Sequence, residues 1–202
     1  MLYELAHFIK DKCSFLWDAV EWGNAWVFSV QHKNPLQGVP QLLENMSDDT
    51  FTLRVTRDSD AQKLEAFFAE QPEDAFEFFK PHDFDKKSIQ KILKNKAFQT
   101  FVVTEHDRIV GYFFLRSFIN GKCFRGKIVD KGRQGRGIAK LMGIAMTKVA
   151  QHLDLRMFGS ISPQYYASMA SAKASNEIKV HKTLDNGYLY IEFLPKKSEY
   201  TV

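Results

Sequence analysis

Cysteine is scarce: 202 residues hold two, Cys13 and Cys123. Two thiols build neither a disulfide framework nor, by themselves, a structural zinc site, so no metal is expected. Long hydrophobic runs are also missing. Nothing approaches the ~18–20 apolar residues that span a bilayer, so no membrane span is expected. The opening MLYELAHFIKDK has no basic segment feeding an uninterrupted apolar stretch, which argues against a secretory signal. The expected setting is therefore reducing and cytoplasmic. What the chain does have is 45% hydrophobic and 26% charged residues. That balance builds a real core and excludes disorder or a fibrous repeat. The length suits one domain, or one domain with a short appendage.

Net charge is only +4, but it is unevenly spread. Between Ile119 and Lys148 eight basic residues face one acid, Asp130, for a local +7. Between Asp58 and Asp85 nine acids face Lys63 and Lys80, for −7. A basic segment inside a near-neutral protein points to a local anion site. A general nucleic-acid surface is disfavoured, because one basic loop offers few phosphate contacts.

Residues 1–22 carry Leu2, Leu5, Ile9, Leu16 and Val20 at helical spacing, widened by Phe8, Phe15, Trp17 and Trp22. This helix is expected to dock on the body, since its polar face is not the Lys/Arg face of a membrane-surface helix. Asn34, Pro35, Gly38 and Pro40 read as a connector. Residues 1–46 thus form a helical extension, and 47–202 the main domain. Within the latter, Phe51–Thr56 alternates like a strand, a capped helix begins near Ser59, and a second helix is expected over Lys86–Ala97. Three strands follow in a meander, FQTFVVTE, RIVGYFFLRSF and KCFRGKIVD, joined by His106-Asp107 and Asn120-Gly121. Then come a glycine-rich loop, a helix over Ile138–Leu153, the strand LRMFGSIS, a helix from about Pro163 to Ala174, and a final hairpin turning at Asp185-Asn186-Gly187. The pattern predicts an α/β fold with a mixed sheet of about seven strands and helices on both faces. Its one parallel join lies at the glycine loop.

That loop reads Gln134-Gly135-Arg136-Gly137-Ile138-Ala139 between a strand and a helix. Glycines there let the chain turn sharply and expose N–H groups to an anion, helped by the helix dipole and by Arg133, Arg136 and Lys140. A diphosphate is the natural occupant. A Walker A loop would need Gly-Lys-Ser/Thr where Gly137-Ile138-Ala139 stands. A dinucleotide loop would need a third glycine where Lys140 stands, and a βα unit in place of the meander.

The segment resembles the GNAT superfamily of acyl-CoA-dependent N-acetyltransferases, whose pattern Gln/Arg-x-x-Gly-x-Gly/Ala is met by Gln134, Gly137 and Ala139. The resemblance, covering residues 51–194, implies acetyl-CoA as co-substrate. Its diphosphate would lie on Gly135, Arg136, Gly137, Ile138 and Ala139, beside Lys140. The pantetheine arm would run between splayed parallel strands and pair with Ile128, Val129 and Asp130. In such families an Asn opens the fourth helix, followed by an Ala and a Tyr that serves as general acid. Gln164 and Ala167 match the first two, but the Tyr position holds Ser171. Tyr166, or Tyr165, could supply the phenol instead, though a buried structural tyrosine is an equal reading.

No base stands out. Asp130 could orient the loop through its backbone. Glu105 and His106 sit in a hairpin turn expected at the wrong end of the sheet, and His181 could face the acceptor cleft. Cys123 has no His near it in sequence and is not assigned as a nucleophile. The resemblance implies direct transfer of acetyl to a small-molecule amine, an amino sugar among the candidates. The acceptor site would use the N-terminal helix, Phe76–Phe84 and the last hairpin. A peptide amine, or a non-catalytic acyl-CoA-binding protein, are the alternatives. Oligomeric state is open, a homodimer included.

Overall fold

The computed structural model describes residues 14–77 and 79–196. Two helices come first, α1 (Ser14–Gln31) and α2 (Lys33–Glu44), then strand β1 (Thr52–Val55) and helices α3 (Ala61–Ala69) and α4 (Lys86–Leu93). The meander follows as β2 (Phe98–Glu105), β3 (Arg108–Phe118) and β4 (Lys122–Val129). Helix α5 (Ile138–His152), strand β5 (Arg156–Ile161), helix α6 (Tyr166–Ser175) and the hairpin β6 (Glu177–Thr183) and β7 (Leu189–Leu194) complete the chain. All seven strands form one sheet in the order β1-β2-β3-β4-β5-β7-β6. Every neighbouring pair is antiparallel except β4 and β5, as the short links and the single crossover require.

The sheet separates two cores. On one face Val39 and Leu43 of α2, Met142 and Met146 of α5 and Ala172 of α6 pack with Phe113 and Leu115. On the other, Leu64, Phe67 and Phe68 of α3 and Ile89 of α4 pack with Tyr112, Phe114 and Ile128. Alternation along β3 and β4 sends neighbouring side chains to opposite layers. The turn His106-Asp107 places both residues at positive φ, the geometry that matches the twist of two hairpin strands.

The amino-terminal stretch departs from the sequence reading. Of the stripe expected over 1–22, residues 1–13 lie outside those described, and the helix continues past Trp22 to Gln31. The expected connector at 34–40 is instead helix α2. Pro35 falls in its first turn, where a missing N–H costs nothing. Pro40 does forfeit an internal bond, yet it sits on the exposed face while Val39 and Leu43 are buried beneath. Packing outweighs the local penalty. Gly38 lets His152 approach, and the His152 ring nitrogen lies 2.8 Å from the Pro35 carbonyl. Asn24 ties α1 to the end of β3, donating to the Ser117 carbonyl and accepting from the Ile119 amide. Helix α4 ends at Leu93, short of Ala97, and α6 begins at Tyr166, past Pro163.

Helices α5 and α6 cross at Gly143, where an added Cβ would collide with the Ser175 hydroxyl. Replacing Gly143 with Val is expected to cost about 1–3 kcal/mol by overpacking. Urea denaturation should show the lowered midpoint, and an unchanged one would contradict this packing.

Candidate functional site

Strand β4 is bonded along its full length to β3, but to β5 over only three positions, Lys122 with Arg156, Cys123 with Met157 and Phe124 with Phe158. Past Phe124 the two parallel strands part, while β5 stays paired on its other edge with β7 from Met157 to Ile161. A fork opens toward the carboxyl end of β4. The Asp130 amide donates to Val110 on β3, so by alternation Val129 and Lys127 turn their backbone groups toward the fork. Gly126 gives room for the Phe114 ring, which lies over it.

Two basic side chains of β4 enter the layer beneath α5 and α6, on the face that buries Cys123. The Arg125 guanidinium lies 3.3 Å from the Phe193 ring centroid and donates to Asn176 Oδ1 at 2.8 Å. Asn176 donates in turn to Thr147 on α5 at 2.6 Å. The half-buried Lys127 reaches further, donating to the Ala139 carbonyl on α5 and to Ser171 Oγ on α6, the latter at 2.8 Å. Burial, with Arg125 adding like charge, pushes the Lys127 amine down to about 7. Burial likewise pushes the Cys123 thiol up to about 12, keeping it an inert thiol.

At the mouth of the fork stands the glycine loop. Asp130 is buried and accepts from the Gly132 amide at 2.8 Å, while Arg108 donates to its other oxygen at 3.2 Å. It orients the loop, as short acids in turns do. The buried Gln71 accepts from the Lys131 amide at 3.0 Å. Gly135 and Gly137 take φ of +77° and +82°, and the space a Cβ would fill beside each is open. Gly137 caps α5 without any side-chain hydrogen bond. Among the described residues, the amides of 135 to 139 meet no protein acceptor. Bare amides at the positive end of a 15-residue helix fit a diphosphate.

The arginines of the loop are less free than the sequence suggests. Glu105 holds both Arg133 at 2.8 Å and Arg136 at 2.7 Å, and their hydrogen bonds keep its carboxyl below the usual range. The β2–β3 turn therefore lies at the loop's end of the sheet, away from the closed end of the fork, and braces the glycine loop. Gln134, Gly135, Arg136, Gly137 and Lys140 are exposed around it, and the Ile138 side chain is buried in the core. Gln164 is exposed in the link before α6, its amide on the Ser162 hydroxyl. Tyr166, on the first turn of α6, is 81% exposed. Ser171 lies a turn further on, against Lys127.

The opposite face of the sheet is aromatic. Two apolar cavities of about 360 and 250 Å³ share Phe98, Arg116 and Phe118. The first reaches Val20 and Trp26 of α1, and the second reaches Pro81 and Phe124. His82 stands beside them, its ring nitrogen 3.0 Å from the Tyr112 hydroxyl, and burial lowers its pKa. Beyond Phe158, Glu192 accepts a two-pronged bond from Arg156 at 2.8 and 3.0 Å and lies 2.8 Å from the His181 ring.

No protein-family model matches this chain, and no curated protein matches its sequence. Solved structures do match its fold. The GNAT domain of S. lividans PAT aligns with a TM-score of 0.62 at 15% identity, over 71% of this chain and 89% of that one. The ribosomal-protein-S5-alanine acetyltransferase from Vibrio fischeri aligns at 0.62 and 15%, over 75% and 96%. Aminoglycoside acetyltransferase AAC(6')-Ib, solved with coenzyme A and kanamycin, aligns at 0.56 and 12%, over 72% and 95%. The chain has the GNAT acetyltransferase fold.

Arg156, with help from His181, holds the nearly buried Glu192 down to about 2. A depressed carboxylate stabilises the fold above its unfolded value of 4.5, and that stability is lost as pH falls toward 2. Glu192→Gln should therefore cost on the order of 1–2 kcal/mol at neutral pH, discounted for the exposed Arg156, with the deficit vanishing near pH 2. Denaturation at a series of pH values checks this; a deficit constant with pH would contradict it.

Proposed function

We propose that this chain transfers an acetyl group from acetyl-CoA to a primary amine of a small molecule, by direct attack of the amine on the thioester. The observation that carries the reading is a loop of bare amides at the mouth of a fork between two parallel strands. An anion on the loop and an extended arm in the fork are what these two features accommodate together. Acetyl-CoA supplies the activated acyl group. Its diphosphate would meet the amides of Gly135 to Ala139, with Gln134, Arg136 and Lys140 around it. Backbone groups of Lys127 and Val129, beside Ile128 and Asp130, would pair with the amide-bearing arm, and Gln164 lies near its path.

The acceptor would approach from the aromatic face. The cavities there are apolar, which suits an amine carried on a hydrophobic or stacking body, an amino sugar on a nucleotide among them. In this reading residues 1–46 are an extension docked on the 47–202 body, with α1 forming a wall of the acceptor site. Tyr166 is one candidate acid, its phenol reachable from solvent at the start of α6. Ser171 at the position where a tyrosine is expected favours one alternative, a non-catalytic acyl-CoA-binding protein, which would bind CoA and turn over no amine.

Coenzyme A at about 100 times its Kd should add about 2.7 kcal/mol. For a chain of this size that is a rise of roughly 5–10 °C in Tm. Gly137→Asp should abolish the rise, because it strains a left-handed position and sets a negative charge against the diphosphate. A wild-type protein with no shift in millimolar acetyl-CoA would overturn the assignment.

A further inference from the structure

Helix α1 is held to the body by one side only. Phe28 is buried in the core, Asn24 bonds the end of β3, and Glu21 accepts from Arg116 at 2.6 Å. Glu21 is also the one charged residue between Ala19 and Gln31. The opposite side carries Ala19, Trp22, Trp26 and Val30, spaced by three and four residues along a single helical face. Trp22 is 71% exposed and Trp26 59%, and Val20, Val30 and Ile119 are each more than half exposed. The Ile119 amide bonds Asn24, which sets that residue beside the helix. Large apolar side chains scattered singly over a surface are ordinary. Here five of the nine that stand exposed among the described residues gather on or next to one helix, so this face calls for a partner.

The charge around the face says which partner. A membrane-surface helix usually brings its own lysines, and α1 does not. The fold supplies them from elsewhere. Asn95, in the link from α4 to β2, lines the cavity shared with Val20 and Trp26, and Lys94 and Lys96 stand exposed on either side of it. Lys33 is exposed three residues beyond Val30. Among the described residues none of these three lysines meets a carboxylate. The apolar face amounts to roughly 600 Å², large for a monomer's surface yet short of the ~800 Å² per partner in a stable pair of copies. A second copy would also bring the same lysines to the rim, whereas anionic headgroups would neutralise them.

We propose that α1 docks this protein on the surface of an anionic lipid bilayer. The helix lies along the membrane plane, with Trp22, Trp26 and Val30 in the boundary between headgroups and acyl chains. Lys33, Lys94 and Lys96 lie against the headgroups. Tryptophan suits that depth, because its ring is apolar and its indole N–H stays within reach of water or phosphate. Glu21, which an anionic surface would repel, is turned to the body and neutralised by Arg116. The docking goes beyond acetyl transfer and does not rest on it.

Flotation of the full chain with vesicles tests this, using phosphatidylcholine alone against an equal mixture with phosphatidylglycerol. The wild type is expected to bind the anionic vesicles about tenfold more tightly than the neutral ones and to lose that margin at molar salt. Its tryptophan emission should move to the blue on binding. Trp22→Ser with Trp26→Ser should weaken binding to anionic vesicles by about tenfold or more. Lys94→Gln with Lys96→Gln, both at exposed positions, should weaken it by about tenfold and leave neutral vesicles unaffected. The lysine variant decides should the tryptophan variant fail to fold. Binding indifferent to lipid charge, or binding kept in full after the lysines are removed, overturns the proposal. A chain that leaves both kinds of vesicle unbound overturns it as well, and its sedimentation as a dimer would then assign the face to a second copy.

Discussion

The structure turns on where two parallel strands stop pairing. β4 and β5 share three residue pairs, and everything past Phe124 depends on their staying apart. Unpaired strand edges seek partners, and natural proteins cover or block them. Here side chains brace the gap. Arg125 is pinned between Phe193 and Asn176, and Lys127 bridges α5 and α6, so both helices are fastened to one lip of the fork. Meanwhile β7 takes up the far side of β5 and draws it away. Interior backbone groups left without a protein partner carry a cost. In the proposed reading, a ligand that presents amides in extended form relieves it.

Charge follows the same logic at longer range. The local surplus of basic residues around the glycine loop looks unbalanced along the chain, yet the fold returns acids to it. Glu105 from the β2–β3 turn takes two arginines, and Arg108 bridges Glu70 and Asp130. The proposed anion site is thus built from backbone amides held by a lattice of paired side chains, and rigid donors of this kind lose little freedom on binding. The deeper charge, Lys127, receives no such partner.

How much was legible depended on the range of the interactions. The meander, the glycine loop, α5 and the last hairpin rest on local signals, alternation, positive-φ turns and a 3.6-residue stripe, and the strands lie within two residues of expectation. Helix α2 was illegible because its Pro and Gly argue locally for a break. Only burial of Val39 and Leu43 against distant elements overrides them. Glu105 was placed in its hairpin turn but without its partners, Arg133, 28 residues away, and Arg136, farther still. Lys127 and Ser171 are 44 residues apart, and neither side chain announces the other. One signal was available: Lys127 and Arg125 share the strand parity of Cys123, which puts two cations on a core-facing row.

Strand β5 is held chiefly by β7, whose last residue is Leu194, and only briefly by β4. One lip of the fork is therefore complete early, while the other waits for residues up to Leu194. During synthesis β4 can join β2 and β3 by short links well before β5 has a second neighbour. The cleft is then among the last features to form, and a ribosome-bound chain lacking its final hairpin would carry the glycine loop without a finished channel behind it.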